Sequence, residues 1–249
     1  MRSLVLACVA LGMSGTPVRA GSITVNAFNN STAATVHFDD GSGHSGTVST
    51  LLTQLNVTYS DGTGTPLTFL TFSLDLFHTV SVGQTYAVNA RDDLATAFTN
   101  GSRIDYIFQA FGAGDLPKNE ANAVQIAIWD LSLGNHNPMS FGKDASGTYS
   151  SGDPNVFSVD LAGNPAADQI SALVDQYLKA SIGSTSQGGW FDAAAAGNDP
   201  NRSQSVLQPI PEPSTFVLCI IAAGCVSTWS LRRVGRQAQS VGVLFSRWR

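Results

Sequence analysis

The chain has 249 residues, of which 43% are hydrophobic and 12% charged, enough for one domain with a real core plus terminal segments. Its three cysteines, Cys8, Cys219 and Cys225, all lie in apolar stretches near the ends, so the body of the chain is no disulfide scaffold, cysteine-ligated metal site or cysteine-nucleophile enzyme. Only six of the 13 basic residues but all 18 acidic ones fall between residues 21 and 213, which leaves that stretch at −12 and argues against nucleic acid as a partner.

At the N-terminus, Met1 and Arg2 precede an apolar run over 4–13 and the small-x-small triplet Val18-Arg19-Ala20. That order predicts a secretory signal peptide over 1–20, cleaved after Ala20. Residues 22–60 read as extended, rich in Thr, Val and aromatics, and interrupted by the polar glycine tract at 39–46. A turn over 61–66 leads to the strongest strand signal, 67–80. There Leu70, Phe72, Leu74 and Leu76 share one face and Phe69, Thr71, Ser73, Asp75 and Phe77 the other, which predicts a central strand packed on both sides.

The hydrophobic period then changes. Ile104, Ile107, Phe108 and Phe111 predict a helix over 102–111 ended by Gly112. A second helix over 118–132 carries a buried stripe of Ala121, Val124, Ile128 and Leu131, with Gln125 and Trp129 on its shoulder. Asn164-Pro165 signals a third helix, faced by Ile170, Leu173, Val174, Tyr177 and Leu178. A short strand is expected at 156–160 and a closing one at 203–208, with Trp190-Phe191 docking back between them. The fold class is therefore α+β, a β-sandwich or barrel with a small helical subdomain over 21–208, plus one C-terminal hydrophobic helix.

That last helix is the apolar run 216–231, about 25 Å long, preceded by Pro211-Glu212-Pro213 and followed by Arg232 and Arg233. The order of parts, over 209–236, resembles the PEP-CTERM sorting signal of exported bacterial proteins. The resemblance implies recognition by an exosortase-type membrane protease and delivery to the cell surface or extracellular matrix, with membrane anchoring through the helix before processing. A basic tail follows over 237–249, as a cytoplasmic end would under the positive-inside rule.

Two further stretches, Phe72-Ser73-Leu74-Asp75-Leu76-Phe77-His78 and Val124-Gln125-Ile126-Ala127-Ile128-Trp129, resemble the signature segments of the bacterial surface thioester domain of the TQXA adhesin type. In that family a cysteine thiol on a strand condenses with a glutamine carboxamide on a helix. The resemblance makes Gln125 the acyl donor and Trp129 the aromatic that closes the helix motif, a position that core packing explains equally well. Ser73 stands where the family has its cysteine. A serine hydroxyl is neither a good nucleophile nor a good leaving group without an activating base. Alternation puts Asp75 on the Ser73 face and His78 on the opposite one, so unreacted side chains are expected at Ser73 and Gln125.

Other motifs lead nowhere. Gly43-His44-Ser45-Gly46 lacks the last glycine of a nucleophile elbow, since Thr47 follows. The four histidines are scattered, and neither a metal nor a cofactor is expected. Asp75 and Asp130 flank the two signature segments, but carboxylates are abundant here. The expectation is a non-enzymatic exported surface or matrix protein that adheres non-covalently to an extracellular polysaccharide or another surface. The alternative is a carbohydrate-binding or carbohydrate-modifying domain presenting Trp190 and Tyr149 as exposed stacking platforms.

Overall fold

The structure, a computed structural model, describes residues 19–39, 45–74, 76, 80–133, 137–161, 163–193 and 205–209. Asp75, His78, the Pro211-Glu212-Pro213 motif, the hydrophobic run 216–231, Arg232, Arg233 and the basic tail lie outside the described residues, as does the expected signal peptide up to residue 18. Arg19 and Ala20 are the first residues of the first strand and pair with Ala90 and Asn89. The register from Gly21–Val88 to Thr24–Thr85 continues beyond them.

In chain order the elements are β1 (Arg19–Asp39), β2 (Ser45–Ser60), β3 (Leu67–Thr71), β4 (Thr85–Arg91), α1 (Leu94–Ala97), α2 (Gly101–Phe111), α3 (Lys118–Ser132), β5 (Gly142–Lys143), β6 (Tyr149–Ser150), β7 (Phe157–Asp160), α4 (Ala167–Ala180), β8 (Gly189–Asp192) and β9 (Val206–Gln208). This is an α+β chain built on antiparallel pairing. The first half of β1 has β2 on one side and β4 on the other; its second half pairs with β7, which leads through β6 to β5. From β4 the ladder runs to β8 and β9, while from β2 it runs to β3. Ser73, just past β3, then bridges to Val206 of β9, so that the pairings β1-β2-β3-β9-β8-β4 return on themselves.

Two hydrophobic cores result. Ile23, Val25, Leu55, Val57, Val88, Phe191 and Val206 fill the space inside the strand ring. The larger core lies where α2, α3 and α4 meet the sheet, and takes in Leu52, Phe72, Ile107, Trp129, Phe157 and Val174. Strand β2 serves both. Its even face is buried at Leu52 and its odd face at Leu55 and Val57, so burial passes from one face to the other at 52–55. Strand β1 keeps pace through register shifts at Val25/Ala27 and Asn29/Thr32, each admitting an extra residue. Asn30, in the second shift, has φ 57°, a left-handed conformation that asparagine tolerates better than most residues.

Polar side chains stitch the helices to the strands. Gln54, fully buried, donates to the Gly114 carbonyl at 2.7 Å, and Asn30 donates to the Leu116 carbonyl at 2.6 Å, holding the α2–α3 connection. Asn122 of α3 donates to the Thr32 hydroxyl at 2.6 Å.

Three sequence expectations need correction. The regular strand expected over 67–80 ends at Thr71, because Phe72 and Leu74 hydrogen-bond to 205–207 rather than to β2. The alternation that suggested a long strand survives as packing: Phe69 lies against the ring core, while Phe72, Leu74 and Leu76 join the helical core. Helix α3 has no single buried stripe, since every residue from 121 to 131 is buried among α2, α4, β1 and β2. Helix α4 begins at Ala167 rather than at Asn164-Pro165; the Asn164 side chain caps the Ala166 N–H at 2.9 Å one turn earlier. The expectations for 102–111 and 118–132 match α2 and α3 almost to the residue.

Arg103, buried on α2, fixes the helical layer. Its guanidinium donates to the Ser181 hydroxyl at 3.0 Å, the Leu178 carbonyl at 2.9 Å, the Pro138 carbonyl at 2.8 Å and the Asn137 side chain. Burial lowers its pKa, with Asp130 nearby acting in the opposite sense. The end of α4 and the 137–138 segment thus depend on one planar donor fork. Arg103→Leu is expected to lower stability by about 3 kcal/mol, because buried carbonyls lose their donors. Arg103→Lys should recover less than half of that loss, since an ammonium cannot span the same acceptors. Chemical denaturation of the three proteins measures both effects, and a fully stable Lys variant would contradict the fork.

Candidate functional site

The ladder between β2 and β3 ends at Leu55–Thr71, and continued register would set Thr53 opposite Ser73. On the other side of Ser73, Leu74 donates its N–H to the Ser205 carbonyl at 2.8 Å and Leu207 donates to the Phe72 carbonyl at 3.2 Å. These two bonds flank Ser73 and leave its own N–H and C=O directed away from β9, as in any non-hydrogen-bonded antiparallel pair. Ser73 is 2% exposed, so both groups need partners inside the protein.

Gln125 supplies them. From α3, its Oε1 accepts the Ser73 N–H at 3.2 Å, and its Nε2 donates to the Ser73 carbonyl at 2.8 Å. A side-chain amide has the same donor–acceptor pair as a peptide group and here takes the place of a missing strand residue. The two signature residues therefore meet, through the backbone of one and the carboxamide of the other. Gln125 is itself 1% exposed.

Trp129 follows Gln125 by four residues on α3 and so lies on the same side of the helix. Together with Ser73, Phe28, Leu51 and Thr53, these residues line a cavity of about 190 Å³ at the place where burial on β2 changes face. Trp129 is 1% exposed, and its indole N–H, also buried, has no acceptor among the described residues. Asp130 is the next residue round the helix and turns elsewhere: it is fully buried and accepts a hydrogen bond from Ser151 at 3.0 Å. Phe28 and the β2 residues of the cavity were not foreseen from the sequence. Their only signal is alternation along β2, which does not say where two cores part.

The structure places the remaining sequence candidates plainly. Ser45 opens β2 opposite Asp39 and is exposed. His37 shares a 2.6 Å hydrogen bond with Thr47. Among the described residues there is no cluster of three or more His, Cys, Asp or Glu side chains suited to a metal. The expectation that Trp190 and Tyr149 present exposed rings is corrected. Trp190 is 7% exposed, donates to Asp93 at 2.9 Å, meets Phe98 edge-on at 5.3 Å and carries the Arg91 guanidinium over its face at 5.3 Å. Tyr149 is 5% exposed, and its hydroxyl donates to Asp168 at 2.6 Å. Pairing of β8 with β4 tucks Trp190 against the ring, so neither aromatic is a free platform.

Comparison with known protein families, with curated proteins and with solved structures finds no match to this chain.

Two predictions follow from these contacts. Gln125→Glu keeps the acceptor but, when ionised, loses the donor to the Ser73 carbonyl and buries a charge. Its folded pKa will therefore be raised above the usual value of about 4.3. Stability should be retained below that value and lost as pH rises through the folded pKa. Thermal unfolding of this variant should approach that of the parent near pH 4 and fall well below it at pH 7; a pH-independent deficit would refute the pairing.

Asp93 gives the opposite sign. Arg91, bonded to both of its oxygens at 3.0 and 2.5 Å, holds its carboxyl below the usual carboxylate range, with the Trp190 N–H adding to the effect. The stabilisation is present above the unfolded value of about 3.9 and lost as pH falls through the folded one. Asp93 is 36% exposed, which limits the contribution to no more than about 1 kcal/mol. Asp93→Asn should thus be slightly less stable at pH 6, with the gap closing toward pH 2–3 in acid titrations followed by circular dichroism.

Proposed function

We propose that this chain is an exported surface or matrix protein with an adhesive or structural role. Its domain is read as a thioester-type module in which a barrel of six strands carries a helical subdomain and the cysteine nucleophile is replaced by Ser73. The observation that carries this reading is the meeting of Ser73 and Gln125, which the sequence resemblance requires and which nothing in local propensity demands. Export rests on the signal-peptide pattern at 1–20 and on Pro211-Glu212-Pro213, the run 216–231 and Arg232-Arg233. In this reading an exosortase-type membrane protease is the processing partner, and an extracellular polysaccharide or another surface is the target.

With serine at 73 the module binds without forming a bond. In the cysteine version the sulfur attacks the carboxamide carbon, the C–N bond breaks, and the nitrogen leaves as ammonia with the thiol proton. Serine at its ordinary pKa does not start that sequence. The alternative of a carbohydrate-binding or carbohydrate-modifying domain loses the two stacking aromatics named for it, because Trp190 and Tyr149 are buried.

Intact-mass measurement and peptide mapping test the proposal. The purified parent should map with Ser73 and Gln125 unlinked. Ser73→Cys should lose one ammonia between the two peptides and then take up methylamine at Gln125. A parent protein already lacking ammonia at this pair would overturn the non-covalent reading. A Ser73→Cys variant that keeps its ammonia and ignores methylamine would overturn the thioester-type assignment.

A further inference from the structure

The outer face of the strand ring carries an array of side chains that neither the Ser73–Gln125 pairing nor the two cores use. Ile23, Val25, Val57 and Phe69 turn into the ring core, so by alternation Thr24, Thr58 and Thr68 point outward. Register sets Thr85 opposite Thr24, Thr24 opposite Thr58 and Thr58 opposite Thr68, which makes one row of four threonines across β4, β1, β2 and β3. Its outer pairs are joined through their hydroxyls, Thr24 with Thr85 and Thr58 with Thr68, each at 2.8 Å. Asn26, left without an opposite residue by the first register shift, donates its amide to Thr58 Oγ1 and Asn56 Oδ1, both at 2.9 Å. In the row on the other side, Ser22 stands opposite Ser60.

Charge is missing from this face. Between Gly21 and Phe38, Ser45 and Ser60, Leu67 and Thr71, and Thr85 and Ala90 there is no Asp, Glu, Lys or Arg, although all 18 acidic residues fall between 21 and 213. Nothing on the face attracts an ion or a phosphate, and the acidic body around it repels polyanions. Aromatic platforms are missing too, since Tyr59, Phe69 and Tyr86 pack against the ring core. What the face offers is hydroxyl and amide groups at fixed spacing, about 4.8 Å from strand to strand, so that four threonines span roughly 14 Å. A hydroxyl has one donor and two acceptor sites, so each Thr–Thr bond leaves sites for a further partner. Threonine is stiff at χ1, and these side chains are already tied to one another, so a partner has little left to order. A single exchange of water for another hydroxyl gains little, which favours a partner that repeats the contact many times.

We propose that this threonine face is the surface through which the domain adheres to a neutral polysaccharide, engaged through the sugar hydroxyls of an extended chain rather than by ring stacking. The inference deepens the surface-protein reading, which has a polysaccharide or another surface as the target, and rests on it for the setting outside the cell. Binding itself needs neither the chemistry at position 73 nor the termini, so the two fail separately: the mass of Ser73→Cys decides the one, and retention by a polysaccharide the other.

Affinity electrophoresis of the full chain tests the face, with soluble hydroxyethylcellulose as the neutral probe and alginate as the polyanionic one. Hydroxyethylcellulose should retard the protein increasingly as its concentration in the gel rises, and alginate should not. Thr24→Val combined with Thr58→Val keeps β-branched side chains on the sheet while removing the two central hydroxyls; this variant should unfold at the parent's temperature and bind about tenfold more weakly. Thr68→Glu, which sets a carboxylate at the exposed end of the row without touching the core, should weaken retention as well. Thr47→Val, on the exposed part of β2 beyond the ring, should leave it unchanged. No retardation by hydroxyethylcellulose, equal retardation by alginate, or parent-like retention of Thr68→Glu and the double valine variant would overturn the face. So would a loss in Thr47→Val as large as that of the double variant, which would make the contact non-specific.

Discussion

A strand can be paired on only two sides, and Ser73 has a strand on one. The bridge to Val206 closes the ring of strands, yet it turns the Ser73 N–H and C=O toward a gap that β2 has already left. Two unpaired peptide groups in a dry interior would oppose the closure that creates them. The Gln125 carboxamide removes the conflict by acting as a one-residue strand. Ring, helical layer and cavity all depend on this pairing, because it brings α3 against the seam and so fixes where Trp129 stands.

The same device recurs at larger scale. The described domain holds no cysteine, and its elements are tied together by side-chain amides and one guanidinium: the buried Gln54 and the exposed Asn30 on the α2–α3 connection, the buried Asn122 on β1, and Arg103 of α2 on the end of α4. Hydrophobic burial supplies most of the stability, but it is indifferent to register. Each of these side chains fits only one arrangement of acceptors around it. They specify which packing of the two cores is adopted.

Much of this was legible because it is local. The period of Ile104, Ile107, Phe108 and Phe111, or the Gly112 that stops it, needs nothing beyond its own helix. The closing strand expected at 203–208 is present as β9, three residues long. Three things were hidden. Of the alternation expected over 67–80, Phe69 goes to one core and Phe72, Leu74 and Leu76 to the other, so pairing ends at Thr71 although packing goes on. Helix α3 is apolar almost throughout its middle and gave only a stripe, because Asn122, Gln125 and Asp130 are polar residues that are buried through specific partners. Trp190 looked like a free aromatic because its companions, Asp93, Phe98 and Arg91, lie about a hundred positions earlier.

The contact between Ser73 and Gln125 also bears on why a serine suits this position. Condensation of a cysteine with the carboxamide expels Nε2, the atom that here donates to the Ser73 carbonyl at 2.8 Å. A bonded pair and a hydrogen-bonded pair are therefore alternatives competing for one nitrogen. In the cysteine version the covalent link must hold the seam after that donor has gone, and any nucleophile that opens the link releases the seam as well. With serine the amide stays whole and the seam is held continuously. With oxygen where the resembled family has sulfur, the joint is held by hydrogen bonds to an intact amide rather than by a reactive link.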